Sequence, residues 1–252
     1  MDLFVPGLFF IYGLCFGSFL NVVIYRLPIG MPIAKGRSLC PRCGHTLSAA
    51  DLVPLFSFLF LRGRCRYCAA PISWRYPGVE ALTGLAFGCC GAMYGLTLYA
   101  ALLCAYCCAL ILAWFIDLDH TYIPDRVHLI IVGLAVLSLF TGPRLFWGER
   151  LAGLGPALFM LLLSFVTGGG IGGGDIKLMA ASGLLLGWRL TLPAFFLAYL
   201  LAALRYLPAY LAKKIPPGFE VPMAPCLALA LMAMALFGPQ LLGLYWNLAL
   251  GL

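Results

Sequence analysis

Long apolar runs separated by short polar breaks organise this chain. The first run extends from Leu3 to Ile24. A polar stretch from Arg26 to Tyr76 follows, and Pro77–Ala100 and Leu102–Ile116 come next, parted near Gly95. Val127–Thr141, Leu151–Thr167, a short run Ile176–Leu186 beside a glycine cluster, and Leu190–Ala212 continue the pattern. Met223–Leu236 and Gln240–Leu252 read as one bent span or two partial ones. A helix needs roughly 20 predominantly apolar residues to cross a bilayer. The pattern predicts an all-α polytopic membrane protein of about eight transmembrane helices. Residues 1–25 form the first of these, 26–76 a polar loop domain, and 77–252 the remaining transmembrane domain.

Composition agrees with that reading. Of 252 residues, 63% are hydrophobic and only 10% charged, where a soluble domain carries about 25% charged residues. One core cannot hide so much apolar surface, so lipid is the main solvent. The first run has almost no basic residues before it and is long enough to span, so it reads as a retained helix rather than a removable signal.

The formal charge of +7 does not imply nucleic acid, because the basic residues gather in loops. Arg26, Lys35, Arg37, Arg42, Arg62, Arg64, Arg66 and Arg75 share the first loop with one acid, Asp51. Short basic loops stay in the cytosol, which puts the N-terminus outside. Alternation then places Asp117–Arg126, Ile171–Lys177 and Lys213–Lys214 inside, and Arg144–Arg150 and Arg189 outside. Asp117 and Asp175 fall at the same face without having been used to choose it.

Nine acids exist in the chain, and an ionisable group at membrane depth is a candidate functional group. Asp117, Asp119, Asp125 and Asp175 sit where apolar runs meet the cytosolic face. Asp119, two residues beyond Asp117, points to another helix face. Asp125 follows Pro124 and suits the first turn of the next helix. Asp175 ends a tract, Gly168-Gly169-Gly170-Ile171-Gly172-Gly173-Gly174, too rich in glycine for a stable helix. The tract reads as a loop that lets another backbone approach, or as a helix-breaking linker with a capping Asp. Two carboxyls at one site can share a proton, leaving one acid and one base near neutral pH. The sequence has no HExxH and no GxSxG, so zinc-peptidase and nucleophile-elbow chemistries find no support.

Eleven cysteines divide into two kinds. Cys15, Cys89, Cys90, Cys104, Cys107, Cys108 and Cys226 lie in apolar runs and read as small inert hydrophobes. Cys40, Cys43, Cys65 and Cys68 form two CxxC pairs in the basic loop. Two such pairs make a closed tetrahedral shell of four thiolates, which is structural rather than catalytic and is expected to hold Zn2+. Gly44 and Gly63 suit knuckle turns, and Arg42, Arg64 and Arg66 would favour the thiolates. A metal would supply folding energy to a loop with little core. His45 could replace one ligand. A redox dithiol is the competing reading, although disulfides rarely persist in the cytosol. The run Leu52–Phe60 is too short to span and would lie at the interface or pack on the knuckles.

These motifs together resemble the type IV prepilin peptidases. Asp117-Leu118-Asp119-His120-Thr121-Tyr122-Ile123-Pro124-Asp125 resembles the family's first-aspartate motif. Gly172-Gly173-Gly174-Asp175 with Lys177 matches the GxGD motif of intramembrane aspartyl proteases. Gly17-Ser18-Phe19-Leu20-Asn21, Tyr25-Arg26-Leu27-Pro28, the CxxC loop, and Arg75-Tyr76-Pro77 with Glu80 follow in family order. The resemblance implies that Asp117 and Asp175 are the catalytic pair. It implies a multi-pass inner-membrane enzyme cutting prepilins or type II secretion pseudopilins after a glycine at the cytosolic face. In bifunctional members, which carry this loop, it also implies N-methylation of the new terminus from S-adenosylmethionine.

Other polar residues stay open at this level. Ser18 and Asn21 share a helix face and either bridge helices or line a site. Glu80 meets the substrate amine, assists methyl transfer, or forms an interfacial pair with Arg75. Lys177 pairs with Asp175, tunes it, or snorkels. Gly172 and Gly174 could admit a substrate backbone. His120 and His128 lack suitably spaced partners for a metal. No GxGxxG follows a strand, so no methyl-donor site can be located. Two other classes fit some features: a transporter using Asp117 and Asp175 as ion sites, and a thiol oxidoreductase using the CxxC pairs.

Overall fold

A computed structural model describes residues 3–33, 36–143, 145–212 and 221–250. Lys35, Arg144, Lys213 and Lys214, used in the orientation argument, lie outside them. The described residues form ten α-helices, one 3-10 turn and two isolated β-bridges, as the all-α expectation requires. The helices are α1 (Phe4–Arg26), α2 (Phe56–Phe60), α3 (Arg75–Tyr94), α4 (Leu98–His120), α5 (Asp125–Thr141), α6 (Trp147–Ala152), α7 (Gly155–Val166), α8 (Gly173–Leu186), α9 (Trp188–Leu211) and α10 (Ala224–Leu250).

Among the described residues, five stretches are long and apolar enough to cross a membrane alone: Phe4–Arg26, Leu98–His120, Trp147–Val166, Trp188–Leu211 and Ala224–Asn247. The expected count of about eight is not reached on that measure. α5 and α8, at 17 and 14 residues, are short. α3 is long enough but carries Arg75, Glu80 and four glycines. The C-terminal run, which the sequence reads as one bent span or two, is one helix, continuous through Pro239. The break between the second and third runs also moves: Gly95, at φ +60, ends α3, and α4 begins at Leu98.

The chain divides into two compact units, Met1–Leu112 and Ala113–Leu252. In the first, α1 and α3 pack at backbone contact. A Cβ on Gly17 would lie 2.7 Å from the Cα of Glu80, and one on Gly13 2.7 Å from the carbonyl oxygen of Thr83. Small residues four apart let two membrane helices approach this closely.

The polar segment between α1 and α3 is built from two matching knuckles. In the first, Cys40 N–H donates to His45 O (3.0 Å) and Gly44 N–H to Cys40 O (2.9 Å), beside a Leu39–Thr46 bridge. In the second, Cys65 N–H donates to Ala70 O (2.8 Å) and Ala69 N–H to Cys65 O (2.9 Å), beside an Arg64–Pro71 bridge. Gly44 takes the left-handed backbone the turn needs, at φ +69, and its counterpart is Ala69 at φ +56. Gly63 does something else. It follows Arg62 at the end of α2, where Gly63 N–H reaches Phe58 O and Arg62 N–H reaches Leu59 O, a Schellman ending. Between the knuckles, Leu52–Phe60 folds into the end of the 3-10 turn and α2, with Phe58 buried edge-on to Trp74 at 4.8 Å.

In the second unit α8 is central, with α5, α6, α7, α9 and α10 packed around it. Gly153 and Gly183 meet backbone to backbone where the α6–α7 junction crosses it. Towards the end of α8, buried Arg150 donates to Ser138 Oγ and Leu184 O, both at 2.9 Å. The beginning of α8 carries the acids.

Candidate active site

Asp117 lies in the last turn of α4 and is 7% exposed. Its Oδ2 accepts a hydrogen bond from the backbone N–H of Ala224 at 3.2 Å. Ala224 opens α10, and the first amides of a helix have no partner within it. The helix start therefore presents an N–H and a partial positive charge to this carboxylate.

Asp175 sits in the first turn of α8. The sequence predicts that the glycine tract stays irregular up to this residue. The upstream part does: Gly168 and Gly169 have φ of +68 and +99. Gly173 and Gly174, however, are helical, and Asp175 N–H and Ile176 N–H both reach Gly172 O, at 3.1 and 3.3 Å. An acid in the first turn suits the helix start, and tertiary packing of α8 outweighs the low propensity of two glycines.

The two carboxyls lie within range of each other's charge, and Tyr199 of α9 also feels that of Asp175. Asp175 Oδ1 is buried with no hydrogen-bond partner among the described residues. One carboxyl is thus held by an amide, whereas its neighbour has a buried oxygen with no hydrogen bond among the described residues.

Around them the other sequence candidates sort themselves. Asp119 is exposed at the end of α4, on a different face from Asp117. Lys177 pairs with Asp125 at 2.7 Å rather than with Asp175. Gly174 lies close under Ile123, 3.3 Å from where its Cβ would be, and a Cβ on Gly172 would come 3.1 Å from Asp175 Oδ2. Sequence reasoning missed three groups. Ala224 gave only a helix-start signal, Pro222 before it and Pro225 just after. Tyr199 gave none. His128, set aside as a metal ligand, has its Nε2 3.1 Å from Gly174 O, and its one sequence signal is the i,i+3 spacing from Asp125.

In the first unit Ser18, Asn21 and Glu80 also come together. Glu80 Oε2 accepts Leu55 N–H at 2.8 Å, with the Ser18 side chain in hydrogen-bonding reach. Asn21 Nδ2 donates to Tyr76 O at 3.1 Å. These bonds join α1, α3 and the loop. The loop acid Asp51 accepts from Arg66 Nε (2.6 Å) and Tyr67 (3.1 Å), and the Arg66 guanidinium holds its carboxyl well below the usual range.

The four loop cysteines form a candidate metal centre. Their sulfurs all lie within 4.8 Å of one another, and Cys40 Sγ is 3.9 Å from Cys68 Sγ. Tetrahedral Zn–S bonds of about 2.3 Å set sulfurs roughly 3.8 Å apart. Backbone N–H groups of Cys43 and then Arg42 bring the Cys40 thiol down to about 6, whereas Cys68, despite the Ala70 N–H, is pushed up to about 11 by burial and its neighbouring thiols. His45 stacks on Tyr67 at 3.6 Å instead of replacing a ligand. Four thiols converging on one point fit a metal shell better than two separate redox pairs.

Comparison with known proteins follows the same division. The bacterial Peptidase A24 N-terminal domain matches residues 11–94, and the type IV leader peptidase family matches residues 104–207. A Bacillus subtilis (strain 168) protein is 33% identical over 246 residues, covering 97% of this chain and 99% of that one. One from Aeromonas hydrophila is 35% identical, covering 93% and 91%. One from Myxococcus xanthus (strain DK1622) is 39% identical over 197 residues, covering 75% and 58%. Each of the three is named prepilin leader peptidase/N-methyltransferase. No solved structure matches the chain.

Proposed function

The chain belongs to the type IV leader peptidase family, and we propose that it cleaves prepilin or pseudopilin leaders after glycine with Asp117 and Asp175, then methylates the new N-terminus. The observation that carries the peptidase half is the pair of acids itself: Asp117 at the end of α4 is held by the first amide of α10, and Asp175 stands in the first turn of α8, on which α10 packs.

That asymmetry assigns roles. A charge-assisted bond from the Ala224 amide favours the ionised form of Asp117. Two like charges at one site cannot both ionise readily, so the shared proton resides on Asp175. Asp117 then takes a proton from water as the water attacks the scissile carbonyl. Asp175 gives its proton to the carbonyl oxygen. The amine leaves carrying the proton Asp117 received, and a hydroxyl of the resulting gem-diol returns its proton to Asp175 as the new carboxyl forms. No covalent intermediate forms. The accessory acids Asp119 and Asp125 stand outside this exchange.

The four-cysteine cluster is read as a structural Zn2+ site, since a closed thiolate shell leaves no open position for substrate. S-adenosylmethionine is the methyl donor, supplying an electrophilic methyl group to the new amine. The reading puts it in the first unit, where Glu80 offers a buried carboxyl that a sulfonium or ammonium could meet. The sites face the cytosol at the inner membrane, on the strength of the basic loop.

Mass spectrometry of a co-expressed prepilin tests both halves on one peptide. Asp117→Asn or Asp175→Asn should abolish leader removal. Full processing by the double amide variant would overturn the assignment.

A further inference from the structure

We infer that His128, assisted by Asp125, is a positioning residue that holds the first turn of α8 and so fixes Asp175 beside Asp117. The inference rests on the aspartic-peptidase reading above. The need for such a device follows from the glycine tract. From Gly168 to Gly174 only Ile171 has a side chain beyond hydrogen, and glycine restricts its own backbone least of all residues. Gly172 caps α8 without any side-chain hydrogen bond. Side chains of α7 and its end fix the tract as far as Ile171, where Ser164 Oγ donates to Ile171 O at 3.2 Å and Thr167 Oγ1 accepts Gly170 N–H at 3.2 Å, but the turn carrying the acid has no side-chain bond at its cap.

α5 supplies such bonds from outside. Asp125 and His128 are three apart on its first turn and share a face. Gly174 and Lys177 have the same spacing at the start of α8. The two pairs meet: His128 Nε2 lies 3.1 Å from Gly174 O, and Lys177 Nζ donates to Asp125 Oδ1 at 2.7 Å. A carbonyl only accepts, so Nε2 carries the proton in the first bond. Asp175 lies between the two anchored residues. Ile123, just before α5, closes on Gly174 from the same side.

The two anchors are unequal. The side chains of Asp125 and Lys177 are 74% and 59% exposed, and an exposed ion pair contributes little by itself. His128 is 6% exposed, so water cannot readily replace its bond to Gly174. His128 is the main anchor, and the ion pair orients α8 about it.

The test uses paired amides, which keep polarity and should both fold. In His128→Gln the amide nitrogen sits where Nε2 was and still reaches Gly174. In His128→Asn it sits nearer the ring's Nδ1 position and falls short. Full-length variants in detergent are assayed for prepilin cleavage, with kcat scaled to folded enzyme by thermal unfolding. Displacing a catalytic group by about an ångström can cost on the order of 100-fold. His128→Asn should lose kcat on that order with KM little changed, and His128→Gln should recover most of the loss. Equal kcat in the two variants, or a loss confined to KM, overturns the inference. Asp117→Asn run in parallel separates this from the underlying reading: it should be inactive, and cleavage by it would sink the peptidase assignment itself.

Discussion

A single backbone amide distinguishes the two aspartates. Ala224 opens α10, where proline is well tolerated because its fixed φ suits the first helical position. Met223 already lies outside the helix, accepting from Cys226 and Leu227. Ala224→Pro therefore removes one N–H from Asp117 with small cost to the helix. Losing one preorganised donor to a reacting oxygen typically lowers kcat about 100-fold or more. We expect that loss in prepilin cleavage, with thermal unfolding in detergent reporting any damage from the added ring atoms at this buried position. A second residue-scale prediction concerns Ala69. It holds the left-handed conformation that Gly44 holds in the matching knuckle. Ala69→Gly should raise loop stability by roughly 0.5–1 kcal/mol, measured as resistance of the cysteines to thiol reagents. The carboxyls and thiols were legible in the sequence because ionisable groups at membrane depth are scarce and CxxC spacing is specific. Ala224 was not, since a main-chain N–H has no signature of its own. Nor was His128, whose partner is a carbonyl 46 residues away.

At the scale of elements, close backbone approach decides how helices meet. α1 and α3 touch through Gly13 and Gly17 with almost no space for a side chain. Gly17→Leu must push the two helices apart, and with them Ser18, Asn21 and Glu80, which bridge α1, α3 and the loop. Overpacking of this kind costs about 1–3 kcal/mol or more. Gly7 on the same helix has nothing within 4 Å of an added Cβ, so Gly7→Leu is the matched control. Thermal unfolding should fall for the first variant and hold for the second. Most helices were readable as apolar runs, although α3 stops at Tyr94, well short of Ala100, and the run Leu151–Thr167 is divided between α6 and α7. Two further details were not readable. α10 continues through Pro239, because neighbouring helices can satisfy the freed backbone groups. The first turn of α8 forms on two glycines because five packed helices surround that element, a tertiary effect that local propensity cannot report.

Across the whole molecule the candidate chemistries fall in different units. Cys40, Cys43, Cys65, Cys68 and Glu80 belong to Met1–Leu112, whereas Asp117, Asp175, His128 and Ala224 belong to Ala113–Leu252. The loop segment has little apolar core of its own, so a metal held by its four cysteines would contribute folding free energy. The proposed hydrolytic pair calls for no metal, and the groups that hold it are carried by α4, α5, α8 and α10. Stripping zinc should then separate the two reactions. In chelator-treated enzyme, or in Cys43→Ser, a prepilin should still lose its leader while methylation of the new amine falls sharply. Mass spectrometry of the product reads both on one peptide, and metal analysis of the same sample confirms depletion. Loss of cleavage in step with methylation would mean that the metal loop also supports the aspartates. Methylation persisting after complete zinc removal would instead detach the cysteine cluster from the transferase reaction.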